Sequence, residues 1–302
     1  MPAPGRFGAV ICAMVTPFDD QGRLDIDGAV KLARWLIENG NDGLVLTGTT
    51  GEATTMSDGE KVHLWKAVRG AVGAPLIAGT GTASTAHSVE LTRLAEATGA
   101  DAALVVTPYY NRPSQAGIDA HFRAIAQASS LPVIAYDIPK RTGRELKTST
   151  LLGLARDGAI AGVKDAAGSP SATAALIDQA PSGFEVYSGD DSYTLPLLAV
   201  GAVGVISVAS HWAGPQISEM IADFTKGDTV AAAALNARLR ESWEFQTSDA
   251  APNPVPTKAM MRALGLPAGE CRLPMGPTPA GLVDQARQVW SNLHLRAFPA
   301  AP

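Results

Sequence analysis

Eight short apolar runs recur along the chain between residues 9 and 209. They lie at 9–16, 43–48, 76–81, 102–107, 132–138, 160–166, 185–189 and 204–209. Runs that stay apolar at successive positions, without alternating with polar residues, are typical of strands that are buried on both faces. The pattern therefore predicts eight strands of a parallel sheet.

The segments between these runs carry apolar residues at helical spacing. In DIDGAVKLARWLIENG, at 25–40, the apolar stripe is Ala29, Leu32, Ala33, Leu36 and Ile37, and Gly40 ends the helix. Similar helices are predicted at 57–70, 84–98, 114–128, 149–156, 171–179 and 191–200. Eight alternating strand and helix units describe a (β/α)₈ TIM barrel, an α/β fold. An open doubly wound sheet is the alternative, because local patterns do not show closure.

After the eighth strand the pattern changes to helices alone. They are predicted at 215–226, 229–246, 254–265 and 279–292, and are joined by proline-rich pieces such as APNPVP. We therefore expect a barrel over residues 1–212 and a C-terminal helical region over residues 213–302.

The charge and composition of the 302-residue chain limit its partners. Its 24 basic and 29 acidic residues give a net charge of −5 without a basic cluster, so we expect no nucleic-acid partner. No stretch approaches the ~20 apolar residues that span a bilayer, and the first residues lack a secretory signal. We therefore expect a cytoplasmic protein without a membrane partner. Cys12 and Cys271 are expected to be reduced, since neither has CxxC or histidine neighbours.

Barrel enzymes carry their catalytic residues at the carboxyl ends of the strands. The residues that leave the predicted strands are 48–52 (GTTGE) after strand 2, Tyr109 and Tyr110 after strand 4, Tyr136 in strand 5, Lys164 in strand 6 and 189–191 (GDD) after strand 7. Because all eight strands run in parallel, we expect these residues to gather at one end of the barrel.

Lys164 lies in the middle of an apolar strand, IAGVKDAAG. Burial disfavours the ammonium and lowers its pKa, which yields the free amine that attacks a ketone to form a Schiff base. The alternative is a salt bridge to a neighbouring acid. Tyr136 would share the barrel interior, either as a proton relay with a second hydroxyl or as a core tyrosine with a satisfied hydroxyl.

The GTTGE loop offers hydroxyls and backbone N–H groups that suit a carboxylate, although it could equally be a tight turn with helix-capping threonines. Metal and nucleotide sites are not expected. The histidines show no HxH or HxxxH spacing; they are His63, His87, His121, His211 and His294. GTGTAS at 79–84 departs from the dinucleotide fingerprint, and no Walker loop occurs.

Six motifs together closely resemble the dihydrodipicolinate synthase branch of the N-acetylneuraminate lyase superfamily. They are GTTGE, TPYYNRPSQ, YDIPKRTG, GVKDA, SGDDSYTLPLLAVGAVGVISV and NPVP followed by RLPMGP. The resemblance spans almost the whole chain. It implies a homotetrameric (β/α)₈ enzyme, a dimer of dimers, that condenses pyruvate with L-aspartate-4-semialdehyde to 4-hydroxy-tetrahydrodipicolinate on the diaminopimelate route to lysine. The imine is the electron sink, so no cofactor is expected.

The resemblance also implies catalytic roles. Lys164 matches the Schiff-base lysine, and Tyr136 matches the tyrosine that shuttles protons. Thr50 and Tyr110 match its partners in a hydroxyl relay. Tyr110 would reach into the active site of the neighbouring subunit, with Tyr109 at the interface.

Four further residues match substrate-binding positions of the family. Thr49 corresponds to a contact of the pyruvate carboxylate, and Arg141 to the guanidinium that receives the semialdehyde carboxylate. Gly189 and Ile206 correspond to backbone groups that line the pocket. A planar guanidinium can bind a carboxylate through two hydrogen bonds, which a lysine does not match in geometry.

Two departures bear on the second substrate. Asp137 stands where many relatives carry asparagine, and Lys140 where a small residue is common; both are near Arg141 in the chain. The alternative function is another pyruvate-dependent class I aldolase, such as a sialic acid or 2-keto-3-deoxy sugar acid lyase. GTTGE rather than GSTGE, together with Arg141, favours the synthase. A non-catalytic barrel that binds a keto acid for regulation would have little need for the four catalytic candidates together, Lys164, Tyr136, Thr50 and Tyr110.

Some relatives are inhibited by lysine, which binds at the dimer interface near the residue that matches Tyr109. The aligned positions in this chain are Ala53, Thr54, Asp58, Lys61, Ala83 and His87. Ala83 and His87 stand where an amide and an acidic group should hold the ligand's ammonium. We therefore expect weak or absent lysine feedback.

Overall fold

The eight strands close into one parallel barrel. The computed structural model describes residues 5–293 of the chain. The strands are β1 (Val10–Ala13), β2 (Gly43–Leu46), β3 (Leu76–Gly79), β4 (Ala102–Val106), β5 (Val133–Asp137), β6 (Gly162–Asp165), β7 (Glu185–Ser188) and β8 (Gly204–Ser207). Each strand pairs with the next, and β8 pairs with β1, where Ile206 lies opposite Ile11. The predicted barrel is confirmed, and the open sheet is wrong.

Successive residues of a strand face opposite sides of the barrel wall. On β5, Ile134 and Tyr136 belong to the cluster that fills the barrel interior, whereas Val133 and Ala135 pack in the layer between strands and helices. Because the side-chain period of a strand is two, the position of a residue along its strand decides which side it faces.

The helices surround the barrel and extend beyond it. Within residues 5–293 they are α1 (Ile26–Glu38), α2 (Asp58–Arg69), α3 (Thr85–Ala97), α4 (Gln115–Ala126), α5 (Pro139–Thr142), α6 (Thr148–Arg156), α7 (Pro170–Gln179), α8 (Thr194–Ala199), α9 (Ser210–Lys226), α10 (Thr229–Arg238), α11 (Arg240–Phe245), α12 (Val255–Ala263) and α13 (Leu282–Asn292). Ser57 caps α2 and forms a capping box with Glu60, so the GTTGE threonines are not its cap. The predicted helix at 229–246 is two helices, α10 and α11.

The sequence pattern does not predict α5. A helix of one turn is too short to show an apolar stripe. It begins at Pro139, whose fixed φ suits a first turn, and it ends at Gly143, which has a φ of 71°. This turn places Arg141 immediately beyond the carboxyl end of β5.

The C-terminal helices share a core with the first half of the barrel. Trp212 of α9 and Met260 of α12 belong to the same buried cluster as Leu36 of α1. The proposed division between residues 212 and 213 falls within α9, at a kink where Ala213 has φ −123° and ψ 20°. Residues 294–302 lie outside the described part of the chain, so the extent of the region 213–302 stays a prediction. None of the helices within residues 5–293 has the length and hydropathy that crossing a bilayer requires.

Candidate active site

A cavity of about 380 Å³ opens at the carboxyl end of the barrel. Its walls come from the loops after β2, β3, β4 and β5 and from the segment before α12. The wall residues with candidate chemistry are Thr49, Tyr109, Tyr136, Arg141 and Asn253. The cavity therefore lies where the strand-end residues were expected to gather.

Lys164 lies beside this cavity with its side chain inside the barrel. It is 5% exposed, and its Nζ atom lies 4.4 Å from the centroid of the Tyr136 ring. Burial lowers the pKa of Lys164 to about 8, against the opposing charge of Asp191. Within residues 5–293 Lys164 forms no salt bridge, unlike the buried Lys258, whose Nζ lies 2.6 Å from Glu52 Oε1. This geometry favours a free amine over the salt-bridge alternative.

Tyr136 is buried and lines the cavity. Burial raises the pKa of its phenol to about 12, while the charge of Arg141 and a hydrogen bond with Thr49 act in the opposite direction. The hydroxyl of Thr50 instead accepts a hydrogen bond from Asn253 Nδ2 at 2.9 Å. Thr49 is therefore a candidate partner of the phenol, and the relay role that the family resemblance implies for Thr50 stays a prediction.

The loop after β2 is held in a strained conformation. Thr47 and Glu52, at its two ends, have φ values of 53° and 54°, which non-glycine residues rarely adopt. Trp65 Nε1 donates to Thr47 Oγ1 at 3.0 Å. Glu52 is fixed by Lys258 and by the backbone N–H of Arg272, which donates to Oε2 at 2.8 Å. The C-terminal region therefore stabilises the loop that carries the two threonines.

Arg141 and Asn253 meet at the rim of the cavity. Arg141 Nη2 donates to the Asn253 carbonyl at 3.2 Å. Sequence reasoning missed Asn253, because it lies in the proline-rich APNPVP segment, which is typical of a linker, 203 positions away from Thr50. A signal was present in its sequence: asparagine is the one residue of that segment whose side chain can both donate and accept hydrogen bonds.

Tyr109 and Tyr110 diverge. Tyr109 lines the cavity, while Tyr110 is 93% exposed and does not belong to the cavity wall. The backbone of Tyr110 has a φ of 73°, which non-glycine residues rarely adopt. The described residues of one chain therefore give Tyr110 no contact with Lys164, and its action in a neighbouring subunit stays a prediction.

Gly189 lies beside the stem of Lys164, and Ile206 lies in the interior of the barrel. A Cβ atom at Gly189 would come within 3.0 Å of Lys164 Cγ, so only glycine leaves room for the lysine stem without a shift. Ile206 of β8 is 1% exposed and belongs to the interior cluster. Neither residue belongs to the wall of the 380 Å³ cavity, so their lining of the pocket and their contacts with substrate stay a prediction.

Asp137 faces the helices, on the other side of β5 from the cavity. Its Oδ1 accepts a hydrogen bond from the Leu146 N–H at 3.1 Å, and it lines a small outer pocket with Asp165. Burial, with help from the charge of Asp165, raises the pKa of Asp137 to about 7. The expectation that Asp137 bears on the second substrate through Arg141 is therefore corrected, and Lys140 is exposed on α5.

A charged cluster occupies another part of the cavity wall. Asp58 contacts His87 Nε2 at 2.9 Å and accepts from Lys61 Nζ at 3.3 Å. Lys61 is buried, and Thr54 lines the same wall. Burial disfavours the Asp58 carboxylate, but the hydrogen bonds from His87 and Lys61 outweigh this and lower its pKa. The only acid of the cluster is therefore already engaged by two partners of this chain.

The described residues contain no group of three or more side chains that could hold a metal ion. His294, the last histidine considered in the sequence, lies outside them. His211 is buried, and its Nε2 accepts from the Val15 N–H at 3.0 Å, which is a structural contact. Cys12 and Cys271 are free cysteines.

Comparison with known proteins agrees with this geometry. Residues 6–290 match the dihydrodipicolinate synthetase family. The chain belongs to that family. The 4-hydroxy-tetrahydrodipicolinate synthase of Moorella thermoacetica is 52% identical over 274 residues, which cover 89% of this chain and 92% of the relative. The synthase of Desulforamulus reducens is 47% identical over 294 residues, which cover 96% of this chain and 98% of that relative.

Solved structures of the family have the same fold as this chain. Dihydrodipicolinate synthase from Cyanidioschyzon merolae, determined with lysine bound, gives a TM-score of 0.92 at 41% identity and covers 96% of this chain and 99% of its own. The Bacillus anthracis enzyme gives 0.91 at 40% identity, covering 95% and 98%. The family resemblance read from the sequence is confirmed.

Proposed function

We propose that the chain is a lyase that condenses pyruvate with L-aspartate-4-semialdehyde to 4-hydroxy-tetrahydrodipicolinate, a step toward diaminopimelate and lysine. The observation that carries the proposal is Lys164. It is a buried lysine with a pKa lowered to about 8, on a barrel strand, beside Tyr136, in a member of this family. A buried free amine is the group that a class I aldolase mechanism requires.

The proposed chemistry begins with attack of the Lys164 amine on the pyruvate ketone. Loss of water from the carbinolamine gives a protonated imine, and loss of a methyl proton gives an enamine. The enamine carbon forms a bond to the aldehyde carbon, whose oxygen becomes a hydroxyl. The amino group of the added semialdehyde then replaces the Lys164 amine at the imine carbon, which closes the ring and restores the lysine. The imine accepts the electron pair, so these steps need no cofactor.

The proton transfers in these steps are assigned to Tyr136 and Thr49. The phenol has a pKa raised to about 12 and stays protonated at neutral pH, so it exchanges protons through a hydrogen-bonded chain rather than as a free phenolate. The relay is extended by Tyr110 from a neighbouring subunit. Its 93% exposure in the single chain supports this proposal, because a phenol outside its own cavity is available to another.

Substrate carboxylates are assigned to Thr50 and Arg141. Thr50 replaces Thr49 as the proposed contact of the pyruvate carboxylate; the hydrogen bond with Thr49 that acts to lower the pKa of the Tyr136 phenol supports this exchange. Arg141 lines the cavity and is proposed to bind the semialdehyde carboxylate through two N–H donors. Backbone groups of Gly189 and Ile206 complete the proposed pocket.

The proposal includes the homotetramer, a dimer of dimers, that the family resemblance implies. Completion of a site by Tyr110 supports the dimer within it. The cytoplasmic location expected from the sequence also stays part of the proposal.

Two steady-state assays on the purified chain test the function. One supplies pyruvate and L-aspartate-4-semialdehyde and couples product to a reductase; the other measures pyruvate release from sialic acid and from 2-keto-3-deoxygluconate. The proposal predicts turnover in the first assay, with kcat/KM at least about 100-fold above the second. Equal or higher activity in the cleavage assay would contradict it.

A further inference from the structure

Asn253 contacts both residues that are proposed to bind substrate carboxylates. Its Nδ2 donates to Thr50 Oγ1 at 2.9 Å, and its backbone carbonyl accepts from Arg141 Nη2 at 3.2 Å. Asn253 lines the cavity and is 8% exposed. The C-terminal region thus supplies one residue that links the two binding groups.

Thr257 sets the orientation of the Asn253 carboxamide. Thr257 is fully buried in the first turn of α12, and its hydroxyl donates to Asn253 Oδ1 at 3.1 Å. Because Oδ1 already has a donor, the amide hydrogens of Nδ2 are left for Thr50. Thr50 is therefore the acceptor in this hydrogen bond.

The Thr50 hydroxyl keeps its own proton for another acceptor. Within residues 5–293, Asn253 is the hydrogen-bond partner of this hydroxyl. The bond uses only a lone pair of Thr50 Oγ1, because Asn253 Nδ2 is the donor. Thr50 is 3% exposed, so its O–H donor is largely removed from bulk water. A buried donor without an acceptor is costly, and a carboxylate oxygen in the site would satisfy it.

We infer that Asn253 is a positioning residue for the 2-keto acid: its carboxamide holds Thr50 Oγ1 as an acceptor, so that the Thr50 O–H donates to the substrate carboxylate. The identity of that substrate as pyruvate rests on the proposed function. The contact with Arg141 uses the backbone carbonyl and is independent of the Asn253 side chain.

The test measures the pyruvate concentration that half-saturates borohydride trapping of the Lys164 adduct. Asn253→Ala should raise it about 5- to 10-fold, the effect of one hydrogen bond. Asn253→Asp should raise it further, because a carboxylate accepts the Thr50 proton and repels the substrate anion. A role in packing alone predicts the reverse order, since aspartate is nearly isosteric with asparagine. An Asn253→Asp value equal to or below that of Asn253→Ala would overturn the inference.

A double-mutant cycle with Thr50→Val shows whether Asn253 acts through the hydroxyl. In the Thr50→Val background, Asn253→Ala should change the half-saturating concentration less than about 2-fold. An effect as large as in the wild-type background would overturn the inference. The KM for semialdehyde should stay within about 2-fold in Asn253→Ala, because the carbonyl that contacts Arg141 is retained.

Asn41 provides a matched control. Its buried Nδ2 donates to the Leu36 and Ser210 carbonyls at 2.9 and 3.3 Å, and it does not belong to the cavity wall. Asn41→Ala should lower the melting temperature without changing the pyruvate dependence of trapping. If Asn253→Ala does not fold, Thr257→Val serves instead; it should raise the half-saturating concentration about 2- to 5-fold, and an unchanged value would overturn the inference.

The two proposals fail in different ways. Trapping requires only pyruvate and Lys164, so a wild-type chain that forms the adduct without condensing the semialdehyde overturns the proposed function and still tests Asn253. A wild-type chain that condenses both substrates, with Asn253→Asp no worse than Asn253→Ala, overturns only the inference about Asn253.

Discussion

Lys164 and Tyr136 are directly paired across β5 and β6, and the Lys164 ammonium lies 4.4 Å from the centroid of the phenol ring. Both side chains enter the barrel because paired residues of neighbouring parallel strands face the same side. Strand register, rather than a loop conformation, therefore places the proposed nucleophile beside the proposed proton shuttle. A site built on regular strands is held more rigidly than one built on loops.

The pH dependence of imine formation should report the environment of Lys164. Burial lowers its pKa to about 8, and only the neutral amine attacks the ketone. The rate of pyruvate adduct formation should rise through pH 8 and level off above it, as measured by trapping at a series of pH values. A rate that keeps rising to pH 10, near the ordinary lysine pKa, would mean that burial does not depress the pKa of Lys164.

Asp137→Asn should stabilise the protein at alkaline pH. The folded-state pKa of Asp137 is raised from 3.8 to about 7 by burial, and the charges of Asp165 and Glu145 act in the same direction. The folded state therefore binds the proton more tightly than the unfolded state, so the contribution of Asp137 to stability falls as pH rises from about 4 to about 7. An amide removes this loss and keeps the acceptor for the Leu146 N–H.

The gain in the free energy of unfolding should be small near pH 4 and reach on the order of 1 to 4 kcal/mol at pH 8. Urea denaturation of Asp137→Asn and wild type at the two pH values measures it. Asp20 is exposed, and Asp20→Asn is the control. It should change the free energy of unfolding by less than about 0.5 kcal/mol at both pH values. A gain that is equal at pH 4 and pH 8 would show that the Asp137 carboxyl does not titrate as described.

Several features of the site follow from the sequence because they are local. The eight strands and the shared position of Lys164 and Tyr136 in the barrel interior depend on short apolar runs and their order. The outward direction of Asp137 also follows from alternation, since Tyr136 points inward and the next residue must face the helices. The alternation therefore predicts the direction of Asp137, whereas its short distance from Arg141 along the chain does not.

Other features depend on contacts that no local pattern encodes. The Asn253–Thr50 hydrogen bond joins residues 203 positions apart, and the Lys258–Glu52 ion pair likewise joins the C-terminal region to the loop after β2. The positive φ values of Thr47 and Glu52, at the two ends of that loop, are likewise not visible in its motif. Such geometry is set by tertiary packing, which overrides what the motif GTTGE shows by itself.

Tyr110 should act in the site of a neighbouring subunit. Tyr110→Phe and Lys164→Ala chains, each nearly inactive, should regain activity when mixed, because one of the two sites in a hybrid dimer carries both intact groups. Random exchange of subunits at equal concentrations predicts about a quarter of wild-type activity. Native mass spectrometry measures hybrid formation.

The matched control mixes Tyr136→Phe with Lys164→Ala chains. Both residues belong to the same barrel, so no hybrid site is intact and no activity should return. If Tyr110→Phe and Lys164→Ala chains form hybrids at the proportion expected for random exchange and these hybrids stay inactive, Tyr110 serves its own chain.

L-lysine should inhibit this enzyme weakly or not at all. Asp58 is engaged by His87 and Lys61, and Ala83 and His87 offer no negative charge to an incoming ammonium. Loss of a buried ion pair lowers affinity by roughly 30-fold or more. The measurement is steady-state activity with and without millimolar L-lysine.

Combining Ala83→Asn with His87→Glu should create lysine inhibition, since it adds an amide and an acid to the cavity wall. The control combines Ala83→Asn with His87→Gln, which adds the amide without the acid. Millimolar or tighter inhibition of the wild type, abolished by Asp58→Asn, would contradict this description of the cluster.

The central claim is that Lys164 forms the covalent intermediate with pyruvate. Borohydride reduction of the purified chain in the presence of pyruvate, followed by mass spectrometry of the intact protein and its peptides, tests it directly. The predicted result is one reduced pyruvate adduct per chain, on the peptide that contains Lys164, and none in Lys164→Ala. An adduct formed to the same extent by Lys164→Ala, or located on the buried Lys258, would contradict the assignment.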